Sequence, residues 1–212
     1  MIINHDPEFV ITLQRVIEFI GTFAFALSGI RLAASKHYDW LGGFVCGIAV
    51  AIGGGTIRDV MLGVRPFWML SPIYMICTLF AQCVVIVCHH YLRRLDATWF
   101  LFDTLGLALF NIAGIQKTLE CGFPFWVAII MGCITGAAGG VIRDVLLNEE
   151  PVIFRKEIYA MACVVGGLTY WLLSWLQVSL YITVIATFAI VCAIRFLAVR
   201  YHISLPKVRD EE

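Results

Sequence analysis

The chain has 212 residues, of which 61% are hydrophobic and 14% are charged, and its formal net charge is zero. This composition excludes an ordinary water-soluble domain, whose surface needs many more charged side chains. The zero net charge, with no basic cluster before the short tail that follows Arg195, argues against nucleic acid as a partner. We expect an all-α integral membrane protein, because these apolar runs are too long and too even for barrel strands.

Seven apolar segments follow one another, each close to the roughly 20 residues that a helix needs to cross the hydrocarbon core. Transmembrane helices are predicted near residues 10–33, 41–64, 71–92, 98–116, 124–147, 157–176 and 179–199. The N-terminal residues lack the basic region of a cleavable signal peptide, so the first helix is expected to be retained. Residues 200–212 are expected to form a cytoplasmic tail.

The chain contains an internal duplication. The segment GGGTIRD at 53–59 recurs 85 positions later as AGGVIRD at 138–144. The same offset relates Gly21 to Gly106, Phe25 to Phe110, Gly29 to Gly114, Gly47 to Gly132, Pro66 to Pro151 and Tyr74 to Tyr159. We predict two three-helix repeats, at 10–93 and 98–177, followed by a seventh helix at 179–199. Because three is odd, the second repeat enters the membrane from the opposite side, and inverted repeats of this kind indicate a transport fold.

Lysine and arginine counts predict the orientation. One side of the membrane would carry nine basic residues, namely Arg31, Lys36, Arg93, Arg94, Arg155, Lys156, Arg200, Lys207 and Arg209. The other side would carry three, Arg15, Arg65 and Lys117. The positive-inside rule therefore places the N-terminus outside and the C-terminus in the cytoplasm, in the plasma (inner) membrane if the protein is prokaryotic.

Small residues spaced by four form a stripe on the second helix and another on the fifth, each ending in an aspartate. The stripes are Gly43, Gly47, Ala51, Gly55 and Asp59, and Ala128, Gly132, Gly136, Gly140 and Asp144. Such stripes allow close approach of membrane helices, so we expect these two helices to cross through them. The alternative is that the glycines serve packing alone.

Consecutive glycines, Gly53-Gly54-Gly55 and Gly139-Gly140, weaken each helix by about 1 kcal/mol per residue relative to alanine. We expect a loosened or broken helix at these positions. Backbone groups freed in a bilayer need protein, water or an ion as a partner. Carbonyls released at such a break can replace the hydration shell of a cation.

Buried charge accompanies the glycines. Arg58 and Arg143 would each cost about 2.5–3.5 kcal/mol at membrane depth without a counter-ion. Because adjacent helical residues do not face each other, we expect exchanged pairs across the crossing, Arg58 with Asp144 and Arg143 with Asp59. The alternative is that both arginines extend to the lipid head groups.

A second matched acidic pair, Glu18 and Asp103, stands at the same offset. We expect Arg15 to neutralise Glu18. Together with Asp59 and Asp144, these carboxylates exceed Arg58 and Arg143 by two negative charges, which favours a path for cations.

The segments GGGTIRDVMLGVRP at 53–66 and AGGVIRDVLLNEEP at 138–151, in an inverted pair of three-helix repeats plus a seventh helix, resemble the prokaryotic trimeric intracellular cation (TRIC) channels. The same bacterial domain is also called a glycine transporter. The resemblance implies a homotrimer, a pore in each subunit, and permeation by K⁺ with Na⁺ also passing. It further implies kinks at Gly53 to Gly55 and at Gly139 to Gly140, with Arg58 and Arg143 beside the pore. The animal members carry a lysine-containing motif in the fifth helix, where this chain reads AGGVIRD.

The sequence thus favours a monovalent cation channel whose partners are K⁺, membrane lipid and two further copies of the chain. The alternative is a secondary transporter of a small zwitterion such as glycine. No enzyme, cofactor or metal site is expected, because the spans carry neither a nucleophile beside a base nor metal-ligand spacing.

Overall fold

The computed structural model describes residues 7–94, 98–154, 158–201 and 203. Every regular element within these ranges is helical. The long helices are α1 (Pro7–Ser35), α2 (Trp40–Met61), α3 (Ile73–Arg94), α4 (Thr98–Glu120), α5 (Phe125–Leu146), α6 (Ala160–Trp175) and α7 (Leu180–Arg200). Short 3₁₀ helices at Phe67–Leu70 and Val152–Phe154 precede α3 and α6. The all-α prediction is confirmed, and each predicted span matches one helix to within a few residues at its ends.

Five of these helices, α1, α2, α4, α5 and α7, are long and apolar enough to cross a membrane. The other two contain shorter apolar stretches, Ile73–Cys88 and Ala160–Trp175. The predicted tail lies outside the described residues, apart from Arg200, Tyr201 and Ile203. Arg155, Lys156, Lys207 and Arg209, on which the predicted orientation partly depends, also lie outside them, as do the side chains of Arg93 and Arg94.

Helices α2 and α5 end with the same backbone motif. Past the end of α2, Gly63 adopts a φ of +70°, and the next amide, Val64 N, bonds to the Asp59 carbonyl at 2.9 Å. At the offset of 85, Asn148 adopts a φ of 52°, and Glu149 N bonds to the carbonyl of Asp144 at 2.8 Å. A left-handed residue at this position satisfies the last helical carbonyls. Both helices therefore turn sharply just after their aspartates.

The two repeats meet at contacts between matched residues. The rings of Phe25 in α1 and Phe110 in α4 stack with centroids 5.3 Å apart. A Cβ built at Gly54 in α2 would lie 3.4 Å from the backbone nitrogen of its counterpart Gly139 in α5. In an inverted repeat, only residues beside the pseudo-two-fold axis can touch their own counterparts. The axis therefore passes between α1 and α4 and between α2 and α5.

The crossing of α2 and α5 depends on two glycines that lie beside the predicted stripes. A Cβ at Gly54 would overlap the carbonyl oxygen of Thr135, and one at Gly139 would lie 2.8 Å from the carbonyl oxygen of Val50. These contacts are symmetric, since Thr135 is the counterpart of Val50. The predicted contact between α2 and α5 is confirmed, and the backbones meet because neither glycine has a side chain.

The prediction that the four-residue stripes form this crossing is wrong. A Cβ at Gly47 would meet Ile30 of α1, and one at Gly136 would lie 2.8 Å from the Leu107 carbonyl oxygen of α4. The glycines of each stripe thus pack against their own repeat, and Gly47 and Gly136 pack against its first helix. Adjacent residues point about 100° apart on a helix, so a shift of one residue selects a different neighbour.

The expected break at the glycines is absent from the described residues. Helix α2 continues from Trp40 to Met61 through Gly53-Gly54-Gly55, and α5 continues from Phe125 to Leu146 through Gly139-Gly140. Side chains of neighbouring elements pack directly against these glycines. Cβ atoms at Gly53 and Gly55 would overlap the side chains of Ile142 and Phe67, respectively. Tertiary packing therefore outweighs the low helix propensity of glycine here.

Candidate functional site

The first charge cluster surrounds Arg58, whose side chain is fully buried near the end of α2. Its Nε donates to Asp59 Oδ1 at 2.7 Å, and its Nη2 donates to Glu18 Oε1 of α1 at 3.0 Å. One guanidinium thus joins two carboxylates from two helices. Charge-assisted bonds of this kind are among the stronger hydrogen bonds in proteins.

The remaining carboxylate oxygens bind the segment that follows α2. Asp59 Oδ2 accepts the backbone N–H of Phe67 at 2.7 Å, and Glu18 Oε2 accepts the Tyr74 hydroxyl at 3.3 Å. The Arg58 guanidinium also lies over the Phe67 ring, 5.6 Å from its centroid. The first cluster, Glu18, Arg58, Asp59, Phe67 and Tyr74, therefore connects α1, α2, the 3₁₀ helix and α3.

The second cluster repeats this arrangement at an offset of 85. Its members are Asp103, Arg143, Asp144, Val152 and Tyr159. Arg143 Nε donates to Asp144 Oδ1 at 2.9 Å, and Arg143 Nη1 donates to Asp103 Oδ1 at 2.5 Å. Asp144 Oδ2 accepts Val152 N at 2.9 Å, and the Tyr159 hydroxyl donates to Asp103 Oδ1 at 3.4 Å. The structure thus brings the predicted charged residues together as two separate groups.

The predicted exchange of partners between repeats is wrong. Arg58 bonds to Asp59 of its own helix rather than to Asp144, and Arg143 bonds to Asp144 rather than to Asp59. The rule that helical neighbours do not face each other holds for Cβ directions, but an arginine side chain is long enough to fold back onto the next residue. Each arginine then reaches the carboxylate of the first helix in its own repeat.

The expected partner of Glu18 and the alternative placement of the two arginines are also wrong. Glu18 pairs with Arg58, rather than with the Arg15 predicted from helical spacing. Arg58 and Arg143 have exposed fractions of 0%, so neither extends to the lipid head groups. Both arginines are held inside the protein by carboxylates.

The second cluster contains one cation that the sequence analysis missed, Arg195 of α7. Its Nη2 lies 4.0 Å from Asp103 Oδ2, and its Nη1 donates to the Ile158 carbonyl at 3.1 Å. The guanidinium lies over two rings, 5.0 Å from the centroid of Phe100 and 4.7 Å from that of Tyr159. The signal in the sequence was an arginine five residues before the end of an apolar helix, where a cation needs a buried counter-ion.

Arg195 changes the predicted charge balance. With all groups ionised, the first cluster contains two carboxylates and one guanidinium, for a net charge of −1. The second contains two carboxylates and two guanidinium groups and is neutral. Counted over these residues alone, the excess is therefore one negative charge rather than the predicted two.

The first cluster adjoins a cavity of about 820 Å³ on the side where α1 begins. Glu18, Asp59, Phe67 and Tyr74 line the cavity. Arg15 of α1, Arg65 after α2, and Lys117 and Glu120 at the end of α4 also line it. Asp103, Arg143 and Arg195 of the second cluster each have an exposed fraction of 0%, as Arg58 of the first cluster has. Glu18, at 5%, is more exposed than its counterpart Asp103.

Among the described residues, no group of three or more His, Cys, Asp and Glu side chains is placed to hold a metal ion. The two carboxylates of each cluster are already engaged by an arginine and by backbone or tyrosine donors. The site therefore consists of charged side chains that bond to one another, next to the contact of α2 and α5.

The sequence of this chain matches one family model and several curated bacterial membrane proteins. The family model described as "Glycine transporter" matches residues 15–90 and again residues 100–175. The inner membrane protein YadS of Escherichia coli, of the UPF0126 group, is 38% identical over 200 residues, which cover 92% of this chain and 96% of YadS.

Solved structures of channels are also similar. A TRIC cation channel superposes with a TM-score of 0.81 at 32% identity, covering 93% of this chain and 98% of the channel. The trimeric intracellular cation channel orthologue of Rhodobacter sphaeroides superposes with a TM-score of 0.83 at 29% identity, covering 91% of this chain and 100% of that protein. The likeness extends over nearly the whole chain in each case.

Proposed function

Because this chain belongs to the family of prokaryotic TRIC channels, which the family model describes as glycine transporters, we propose that it is a passive channel for monovalent cations. We propose K⁺ as the main permeating ion, with Na⁺ also passing. The observation that carries the proposal is the first cluster: Glu18 and Asp59 line a cavity of about 820 Å³. Carboxylates that line a cavity attract cations to it. Arg15, Arg65 and Lys117 line the same cavity, so its charge is mixed.

The proposed path leads from the cavity past the first cluster, along the contact of α2 and α5, to the second cluster. Gly54 and Gly139 support this path, because helices that touch through glycine can shift without displacing side chains. We propose that Gly53 to Gly55 and Gly139 to Gly140 allow bending there. Arg58, Asp59, Glu18 and their counterparts Arg143, Asp144 and Asp103 would set the charge along the path.

We further propose a homotrimer with one path in each subunit, in contact with membrane lipid. The "trimeric" channels that resemble this chain over nearly its full length support the assembly. The cavity would open outside the cell, because Arg15, Arg65 and Lys117 line it and the basic loops lie at the opposite helix ends.

The test is recording of unitary currents from purified protein in planar bilayers under a KCl gradient. We expect currents that reverse near the K⁺ equilibrium potential. Glu18→Gln should lower the conductance by about twofold or more, because it removes one of the three carboxylates that line the cavity. Glu8→Gln, which removes an exposed carboxylate of the same helix outside the cavity, should leave the conductance unchanged. Folded protein that gives no current would refute the channel.

A secondary transporter of a zwitterion such as glycine is the second candidate. It is favoured by the mixed charge of the cavity, where Arg15 and Arg65 could bind a carboxylate and Glu18 an ammonium group. The description of the matching family model agrees with this chemistry. Saturable uptake of labelled glycine into proteoliposomes, driven by an ion gradient and without unitary currents, would decide for the transporter.

A further inference from the structure

Ser28 bonds differently from the other serine and threonine side chains of α1. Thr12, Thr22 and Ser35 each donate to a carbonyl three or four residues earlier in the same helix, as helical hydroxyl groups commonly do. Ser28 is fully buried, yet its Oγ donates to the carbonyl of Trp99 in α4, at 3.2 Å. The hydroxyl group of Ser28 therefore reaches from the first repeat into the second.

The bond to Trp99 uses the proton of Ser28 Oγ and leaves its lone pairs to accept. Arg143 Nη1 donates to Ser28 Oγ at 2.8 Å, and the same nitrogen donates to Asp103 Oδ1. The Arg143 guanidinium also lies over the Trp99 ring, 5.2 Å from its centroid. Ser28 thus connects α1 to an arginine and to a backbone carbonyl of the second repeat, through consecutive hydrogen bonds that polarise one another.

The duplication does not repeat this connection at the first cluster. The counterpart of Ser28 is Ala113, which has no hydroxyl group. Arg58 Nη1 is buried and has no hydrogen-bond partner in the described part of the chain, whereas Arg143 Nη1 has two. Arg143 Nη2 makes no hydrogen bond of its own but lies 2.8 Å from Asp144 Oδ1. The hydrogen bonds of Arg58 go to carboxylates of its own repeat, while those of Arg143 extend to both repeats.

We propose that Ser28 is a positioning residue: through its hydroxyl group, α1 of the first repeat fixes the guanidinium of Arg143 and so sets where that charge lies beside the ion path. This inference rests on the proposed function for the path, whereas the bond between the two side chains does not. A shift of α5 relative to α1 has to carry Arg143 along or break a buried hydrogen bond to a charged group, which is stronger than one between neutral groups.

The first experiment measures thermal unfolding in detergent and needs no transport. Ser28→Ala should lower Tm by about 3–6 °C, because it removes a buried bond to a charged group. Ser28→Cys fills the same space with a weak acceptor and should lower Tm similarly. Thr118→Val is the matched control, because it removes a fully buried hydroxyl that bonds within α4, to the Gly114 carbonyl. It should lower Tm by less than about 2 °C. A wild-type Tm in Ser28→Cys would overturn the proposal, since volume alone would then matter.

Double variants identify the partner of Ser28. In an Arg143→Gln background, the fall in Tm caused by Ser28→Ala should shrink to less than half, because the glutamine side chain ends two bonds short of the position of Nη1. In an Arg58→Gln background the fall should keep its full size, since Arg58 belongs to the other cluster. Equal falls in both backgrounds would contradict the assignment. If Arg143→Gln does not fold, the comparison of Ser28→Cys with Thr118→Val still decides.

The second experiment records unitary currents in planar bilayers. Ser28→Ala should lower the unitary conductance by about twofold or more, because a guanidinium released from α1 is free to move towards the path of the cations. Thr118→Val should leave the unitary conductance unchanged. A purely structural role of Ser28 predicts fewer channels of unchanged unitary conductance, and that result would refute the effect on the path. If wild type carries no current, the channel proposal fails, while the Tm measurements still decide whether Ser28 holds Arg143.

Discussion

Arg58 and Asp59 are consecutive in α2, and their side chains bond to each other at 2.7 Å while both remain almost completely buried. The pair acts as one unit: Arg58 holds Glu18 of α1, and Asp59 holds the backbone of Phe67 after the sharp turn at Gly63. A buried guanidinium is tolerable here because two carboxylates and an aromatic face surround it. The same contacts therefore neutralise the buried guanidinium of Arg58 and hold the segment that follows α2 in position.

The pairing can be measured with double-mutant cycles in detergent. Arg58→Gln should lower the free energy of unfolding by about 3–5 kcal/mol, because it leaves the buried carboxylates of Glu18 and Asp59 without their cation. Glu18→Gln should lower it by less, about 1–3 kcal/mol, because Arg58 keeps its bond to Asp59. The two changes together should be non-additive by about 1 kcal/mol or more. Arg58→Gln combined with Asp144→Asn should be additive to within about 0.5 kcal/mol, because these residues lie in different clusters. Coupling of Arg58 to Asp144 as strong as its coupling to Glu18 would contradict this arrangement.

The contact of α2 and α5 predicts a sharp difference between two glycines of one helix. Gly54→Ala should destabilise the protein by about 1–3 kcal/mol, because its Cβ would overlap the backbone carbonyl of Thr135, which has no rotamer to change. Gly43→Ala is the matched control: its Cβ would lie 3.5 Å from Gln82 Oε1, an ordinary contact with a flexible side chain. Thermal unfolding of both variants checks this. Equal Tm values would show that the helices separate easily.

Orientation can be tested with two serines at opposite ends of the helices. Ser71 lines the cavity, and Ser35 ends α1 on the other side. In spheroplasts, Ser71→Cys should react with a membrane-impermeant maleimide, whereas Ser35→Cys should react only after the membrane is opened. Wild type, with its eight cysteines, gives the background. Labelling of Ser35→Cys alone in intact spheroplasts would reverse the orientation.

The amino-acid sequence was sufficient for the architecture. Hydropathy alone predicted seven helices within a few residues of their observed ends, because in lipid every backbone group must be bonded within its own segment. The offset of 85 also identified the charged residues of both clusters except Arg195, since duplication preserves residue type as well as spacing.

The tertiary structure decided which of these residues touch. The stripe that includes Gly47 packs against its own repeat, while Gly54, on another face of α2, meets α5. Arg58 folds onto its neighbour Asp59, a choice between partners that depends on side-chain reach rather than on Cβ direction. Arg195 lies 92 positions from Asp103, and only the packing of α7 against α4 brings them together. Periodicity and composition report on single helices, whereas charge balance and access depend on how separate helices are assembled.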